Sequence, residues 1–237
     1  MQAEIIEAAG KIAVKAVLFD LWGTLVYNVP PPSVNFQEVA AHVGVSPHAL
    51  WEAWRKYSRP TLIGEIKSGE ERARLVLTDL KQSFDAIPYM TEFEYNNRAV
   101  NVNFYPGVPQ MLAELRQAGL RTALVSNCSY LTPGVVERLG LPEKIDHVIL
   151  SCEVGAAKPE ARIYEIARGL LDVQPQECLY VGDGGDNEML GARKFGFHTA
   201  IVEQERGHAF RNPGDFGTDF RFAKVTDVPQ HITLSTT

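Results

Sequence analysis

The chain is poor in cysteine. Its three, Cys128, Cys152 and Cys178, show no CxxC spacing, and an odd number cannot complete a set of disulfides. Two fall in or beside predicted strands and Cys128 just past a strand end, which reads as buried, reduced thiols in a cytoplasmic protein. The six histidines are scattered, with no pair at metal-ligand spacing, so a zinc centre is not expected. No run approaches the ~18–20 apolar residues of a membrane span. The acidic amino terminus lacks the apolar stretch of a secretory leader, so none is expected. Positive charge is in deficit too: 23 Lys and Arg against 29 Asp and Glu leave a formal −6. That argues against nucleic acid or an anionic membrane as partner, though not against an anionic small molecule held by local charge. There is no internal repeat and no low-complexity tract. What is present is 237 residues of ordinary globular composition, 45% hydrophobic and 22% charged. That length suits one core domain with a large insertion. Oligomeric state is not legible in the sequence.

One stretch stands out: Lys15-Ala16-Val17-Leu18-Phe19-Asp20-Leu21-Trp22-Gly23-Thr24-Leu25-Val26. Apolar residues from about Ile12 to Phe19 run into Asp20, and a turn follows. This reads as a strand buried on both faces, the kind found in parallel sheets, whose ligands gather at the carboxyl ends of strands. Taken alone, Asp20 could equally be a solvated turn residue.

The rest of the chain divides by pattern. Residues 1–11 read as a poorly packed lead-in, and Asn28-Val29-Pro30-Pro31-Pro32 as a stiff linker that no helix or sheet interior accepts. Between Val34 and Asn103 the spacing is helical. Phe36, Val39, Ala40 and Val43 are closed by Gly44, and Ser46-Pro47 opens a second helix carrying Leu50, Trp51, Trp54 and Tyr57. Ala73, Leu75, Val76 and Leu80 mark a third, and Thr91–Val100 a weaker fourth. No strand is expected there, and its aromatic residues read as the insert's own core.

Tyr105-Pro106-Gly107 marks the return, after which α and β alternate. Helices are predicted at Val108–Gly119, Pro133–Leu139, Pro159–Leu171 and Asn187–Phe195. Strands are predicted at Arg121–Val125, His147–Ser151, Cys178–Val181 and His198–Val202, with an edge strand near Phe220–Val225. Parallel strands need crossovers, so the alternation predicts an α/β fold with a doubly wound parallel sheet. Residues 1–27 and 104–237 would form the core and 28–103 the helical insert.

Polar groups end three of the buried strands: Asp20, Ser126-Asn127, and Gly182-Asp183. Lys158, in Gly155-Ala156-Ala157-Lys158-Pro159, sits where a helix start can reach the same rim. Singly, each has an ordinary explanation as a turn or loop residue; together they point to a site. The stretch Gly182-Asp183-Gly184-Gly185-Asp186-Asn187-Glu188 suits either a hard cation held by oxygens or an acidic helix start favoured by the dipole. Asp20 facing Asp183 favours the cation, because two carboxylates on one rim repel unless a cation or proton intervenes. Mg²⁺ would also let a carboxylate approach a phosphate monoester, with Lys158 and the Ser126 hydroxyl as donors to phosphoryl oxygens.

These residues resemble the haloacid dehalogenase superfamily of hydrolases, in the subgroup whose helical cap follows the first strand. Asp20-Leu21-Trp22-Gly23-Thr24-Leu25 is similar to its first motif and Leu124-Val125-Ser126-Asn127 to its second. Lys158-Pro159 with Ile163-Tyr164 is similar to the third, and Val181-Gly182-Asp183 with Glu188 and Gly191-Ala192 to the fourth. The resemblance implies a Rossmann-like core with an α-helical cap and Asp20 as nucleophile. It implies Ser126 and Lys158 as catalytic partners and Mg²⁺ held by Asp20, the Trp22 carbonyl, Asp183 and Glu188. Trp22 and Asn127 would lie at the substrate, with Asp186 a further contact.

Two departures accompany it. Glu188 stands where aspartate is usual, and it keeps an oxygen ligand. Trp22 stands where the family's phosphatases carry an aspartate that protonates the leaving alcohol and activates water. Such acid–base help is worth roughly 10²–10⁴-fold, and Glu65 in Gly64-Glu65-Ile66 is the substitute to consider, against its reading as a solvated cap residue. The expected function is therefore a Mg²⁺-dependent phosphatase acting on a small phosphorylated metabolite with a low-pKa leaving group. The alternatives are a 2-haloacid dehalogenase-type carbon–halogen hydrolase, whose family members carry tyrosine at the Trp22 position, and a catalytically impaired ligand-binding member.

Overall fold

The computed structural model describes residues 11–29, 35–204 and 217–235. The lead-in before residue 11 and the proline linker beyond residue 29 lie outside the described residues. The run from Ile12 to Phe19 is not one strand but two. Ile12–Val14 is β1 and Ala16–Phe19 is β2. Lys15 interrupts the apolar run. Its amide donates to the Glu177 carbonyl (2.7 Å), its carbonyl accepts from the Arg121 amide (3.0 Å), and its ammonium pairs with Glu177 (2.7 Å). Only the fully buried half enters the main sheet.

The elements that follow are β3 (Val26–Asn28), α1 (Phe36–Val43), α2 (Pro47–Lys56), α3 (Ser58–Leu62), α4 (Gly69–Leu80), α5 (Ile87–Arg98) and β4 (Val102–Phe104). Then come α6 (Val108–Gln117), β5 (Arg121–Ser126), α7 (Thr132–Arg138), β6 (His147–Leu150), α8 (Ser151–Val154), α9 (Ala161–Leu171), β7 (Cys178–Gly182), α10 (Glu188–Phe195), β8 (His198–Val202), β9 (Phe220–Phe222) and β10 (Ile232–Leu234). The main sheet runs β6-β5-β2-β7-β8-β9 and is parallel throughout. The expected edge strand is its last member.

Side chains alternate across this sheet as strand geometry requires. Val17 and Phe19 of β2 pack with Leu124, Leu179 and Val181 under α6 and α7, while Ala16 and Leu18 pack with Ala123, Val125 and Tyr180 under α9 and α10. Both faces of β2 are covered, which explains its unbroken apolar sequence. Burying a side chain such as Phe19 contributes about 1.5–3 kcal/mol.

Helices α1–α5 form a bundle with a separate core that includes Val39, Leu50, Val76, Leu77 and Met90. Polar caps start three of them: Asn35 accepts from the Glu38 amide, Ser46 from Ala49 and Ser68 from Glu71. The expectation of no strand before residue 103 is corrected. Val102–Phe104 pairs antiparallel with Val26–Asn28 to make a two-stranded stem for the bundle. Three residues are too few to show a period, so the stem left no pattern in the sequence. For the same reason β10, which pairs parallel with β1, was not foreseen. Among the described residues no helix is long and apolar enough to cross a membrane.

Candidate active site

Register brings the strand-end groups together. Phe19 lies opposite Leu124 of β5 on one side and Val181 of β7 on the other, so Asp20, Ser126 and Asp183 emerge at one rim. The Asp20 amide donates to the Val181 carbonyl at 2.9 Å, carrying the ladder up to the residue that bears the carboxylate. The chain then turns tightly, with the Thr24, Leu25 and Val26 amides all aimed at the Leu21 carbonyl. Gly23 in this turn has φ of 73°, and a Cβ there would lie 2.4 Å from Asp183 Oδ2. Glycine is required twice over, by the left-handed backbone and by the close approach of Asp183.

Lys158 is the hub. Its Nζ donates to Asp20 Oδ1 (2.5 Å), to Glu188 Oε2 (2.5 Å) and to the Tyr180 hydroxyl (3.0 Å). Tyr180 donates in turn to Glu188 Oε2 at 2.8 Å, and the Gly184 amide donates to Glu188 Oε1 at 3.0 Å. A Cβ on Gly182 would sit 2.1 Å from Glu188 Oε1, so the motif glycine makes room for this carboxylate. Asn127 holds the lysine from behind. Its Oδ1 accepts from the Lys158 amide (2.7 Å), and its Nδ2 donates to the Lys158 carbonyl and to Asp186 Oδ2, both at 2.9 Å.

Among the described residues, carboxylates outnumber ammonium groups in this cluster. Asp20, Asp183 and Glu188 each offer a carboxylate oxygen within 4.8 Å of the others, and one ammonium, that of Lys158, bonds two of them. Burial pushes the Asp20 carboxyl well above its ordinary pKa; Lys158 pulls it down, but Glu188 and Asp183 add to the rise. Burial works against the Lys158 ammonium as well, yet Asp20 and Glu188 outweigh it and hold its pKa above the ordinary value. The two directions describe one situation. A single ammonium divided between two carboxylates stays charged and leaves Asp20 undercompensated. An oxygen-only donor set of three neighbouring carboxylates suits a hard divalent cation such as Mg²⁺.

The structure brings every residue expected at the site to this rim or its immediate support. Ser126 is fully buried at the end of β5, its Oγ 3.4 Å from the Asn127 carbonyl. Trp22 is half-buried against the core on the turn that carries Asp20. Glu188 reaches the cluster with both oxygens already accepting hydrogen bonds, and the Asn127 carboxamide is occupied by the Lys158 backbone and Asp186. Glu65 is exposed, with no contact linking it to the rim.

Four contributors were not foreseen. Thr24 Oγ1 donates to Asp20 Oδ2 at 3.5 Å, and Gln204 Nε2 donates to the Thr24 carbonyl at 2.6 Å. Tyr164 donates to the Glu188 carbonyl at 2.9 Å, and Tyr180 completes the Lys158 shell. Thr24 and Tyr164 lie within the motifs quoted above but had no role assigned, and Tyr180 carried a signal of its own: a phenol on the inward face of a buried strand must find a partner for its hydroxyl. A separate cavity of about 460 Å³, lined by Ser68, Gly69, Thr91, Glu94, Tyr95 and Tyr130 among others, opens between the helical insert and the loop after β5. None of the rim carboxylates lines it.

Comparison with known proteins agrees with this geometry. Residues 14–196 match the family described as haloacid dehalogenase-like hydrolase. An (S)-2-haloacid dehalogenase of Pseudomonas sp. strain YL is 27% identical over 208 residues, 85% of this chain and 87% of that protein. An N-acetylmuramic acid 6-phosphate phosphatase of Pseudomonas aeruginosa is 28% identical over 230 residues, 94% of each. Another relative is matched over only 49% of its own length. The crystal structure of a HAD phosphatase from Thermococcus onnurineus shares the fold, with a TM-score of 0.63 at 22% identity, covering 91% of this chain and 96% of that one. The chain belongs to the haloacid dehalogenase-like hydrolases.

Proposed function

We propose that this haloacid dehalogenase-like hydrolase is a Mg²⁺-dependent phosphatase acting on a small phosphorylated metabolite, with Asp20 as nucleophile and residues 28–103 as a cap over the core rim. The observation that carries the reading is the gathering of three carboxylates, Asp20, Asp183 and Glu188, with oxygens within 4.8 Å of one another. Hydrolysis of a carbon–halogen bond by Asp20 alone has no need of Asp183 beside it, whereas an approaching phosphate makes the charge excess worse and calls for a cation. Asp20, Asp183 and the Trp22 carbonyl would hold Mg²⁺ with Glu188 behind them, and the ion would neutralise charge between carboxylate and phosphoryl group.

Lys158 fixes one Asp20 oxygen, Oδ1, leaving Oδ2, which has only the long Thr24 contact, as the attacking atom. Asp20 Oδ2 bonds to phosphorus as the ester or anhydride oxygen departs with its electron pair, and water then cleaves the aspartyl phosphate. Ser126 holds a phosphoryl oxygen, Lys158 sets its positive charge beside the phosphoryl group, and Asn127 keeps Lys158 in place. Trp22 has no proton to give a leaving alcohol, so the substrates favoured are acyl phosphates or anhydrides, whose leaving groups depart unprotonated. The three unpaired thiols fit a reducing, cytoplasmic setting.

A second reading, a 2-haloacid dehalogenase-type hydrolase, is favoured by the same Trp22. One panel separates the two. We expect phosphate release from acetyl phosphate and para-nitrophenyl phosphate that needs Mg²⁺, and a gain of monoester hydrolysis in Trp22→Asp. Chloride release from 2-chloropropionate in EDTA, with no phosphate release, would establish the second reading instead.

A further inference from the structure

Cys128 and Cys152 lie far apart in sequence and face each other in the fold, with their sulfurs 3.6 Å apart. They are tied together on both sides. The Cys128 amide donates to Ser151 Oγ at 2.9 Å, that hydroxyl donates to the Cys128 carbonyl at 3.3 Å, and Cys152 Sγ lies 3.5 Å from the Ser129 carbonyl. Cys128 is buried and Cys152 half-buried, so the pair has a path to small oxidants through Cys152. From this geometry we propose that Cys128 and Cys152 form a reversible disulfide, a modification site whose closure shifts the Ser126–Tyr130 segment.

The segment matters because four consecutive functions hang on it. Ser126 is at the rim, Asn127 holds the Lys158 backbone, Cys128 carries the thiol, and the Tyr130 hydroxyl donates to Glu94 of the helical insert. On the other side, the insert packs directly on Cys152: a Cβ on Gly64 would lie 1.9 Å from the Cys152 carbonyl oxygen. Drawing two sulfurs from 3.6 Å to a bond of about 2.05 Å moves both contact points between insert and core.

The chemistry balances with hydrogen peroxide as oxidant. The hydrogen bond from Cys152 holds the Cys128 thiol below its ordinary pKa despite burial, which favours Cys128 as the thiolate. The Cys128 thiolate attacks one peroxide oxygen, the O–O bond breaks, and the leaving hydroxide takes a proton, giving a sulfenic acid and water. Cys152 sulfur then attacks the Cys128 sulfur, the S–O bond breaks, and a second water leaves with the thiol proton. Two thiols lose two electrons and one peroxide becomes two waters. Cys178, buried beneath α9 with its thiol pushed up to about 12, is the internal control.

The test is peroxide titration of the full chain, read by intact mass and thiol count, then hydrogen exchange. One equivalent should lower the mass by two hydrogens, leave one titratable thiol, and yield a tryptic peptide linking Cys128 to Cys152, since Arg138 and Lys144 lie between them. Exchange across 126–131 and across α5 should change several-fold and return with dithiothreitol, and Cys152→Ser should show neither response. Three remaining thiols, addition of oxygen without the linked peptide, or a disulfide that leaves exchange at 126–131 unchanged would overturn the proposal. None of these readouts depends on which substrate the site hydrolyses.

Discussion

Two buried clusters of charge among the described residues are built on different plans. In the cap, Arg72 and Glu94 form a closed pair at 2.8 Å. Arg72 also donates to the Trp54 carbonyl and Ser58 hydroxyl, it stacks over the Trp54 ring at 4.7 Å, and Tyr130 of the core donates to Glu94. One guanidinium meets one carboxylate directly, its Nη2 goes to neutral partners, and its buried Nε has no hydrogen-bond partner among the described residues. At the rim, Lys158 is shared between Asp20 and Glu188, with Asp183 close by. Desolvation punishes both clusters equally in kind, but a balanced pair recovers its cost internally and an unbalanced one does not. The difference teaches where to look for chemistry: in the cap the carboxylate has its own guanidinium, and at the rim three carboxylates gather around one ammonium.

The largest expected effect separates the clusters by activity. Asp20→Asn should lower phosphate release by roughly 10⁴-fold or more while leaving the melting temperature unchanged or higher, because the variant removes an undercompensated charge. A fall in melting temperature would mean that the rim is balanced in a way the geometry does not suggest. Next comes the contrast in stability. Lys158→Met strands two buried carboxylates and should cost about 3–5 kcal/mol in urea denaturation, whereas the paired change Arg72→Met with Glu94→Gln should be close to neutral. Equal costs would erase the distinction. Tyr130→Phe removes one hydrogen bond to a charged acceptor between core and cap, for about 1.5–3 kcal/mol, without changing metal dependence.

The smallest effect is in alkali. Lys158 is held above the ordinary lysine value of 10.5, so above that pH the unfolded chain loses the proton first. The unfolded state then binds fewer protons than the folded one, and stability falls as pH rises until the folded lysine also titrates. Denaturation midpoints measured across pH 9–11 should therefore decline less steeply in Lys158→Met than in the wild type.

How much of this was visible in the chain depends on range. Asp20, Ser126 and Asp183 were legible because a buried parallel strand announces itself by an apolar run, and the residue that ends it must lie at the rim. Lys158 was legible as a helix-start lysine able to reach that rim. Four of the five cap helices were legible from period, and one also from Ser46-Pro47 at its start, whereas the five-residue helix Ser58–Leu62 is too short to show a period. Contacts that join distant segments were not. Nothing local in Val102-Asn103-Phe104 says that it pairs with Val26-Tyr27-Asn28, and nothing in Gln204 says that it bonds the turn at Thr24, 180 residues away in sequence. The Cys128–Cys152 approach belongs to the same class, since the scarcity of cysteine argued for inert thiols and only the fold places these two together. Lys15 shows the converse: its charge inside an apolar run was a visible interruption, and it marks where one strand becomes two.

The central claim is that the rim's excess negative charge is a divalent-cation site. Calorimetric titration with Mg²⁺ at neutral pH tests it most directly, with the wild type, Asp183→Asn and the Arg72→Met, Glu94→Gln variant side by side. The account predicts one ion per chain in the wild type and in the cap variant, and none in Asp183→Asn. Absence of binding to the wild type, or equal binding to all three, would contradict it.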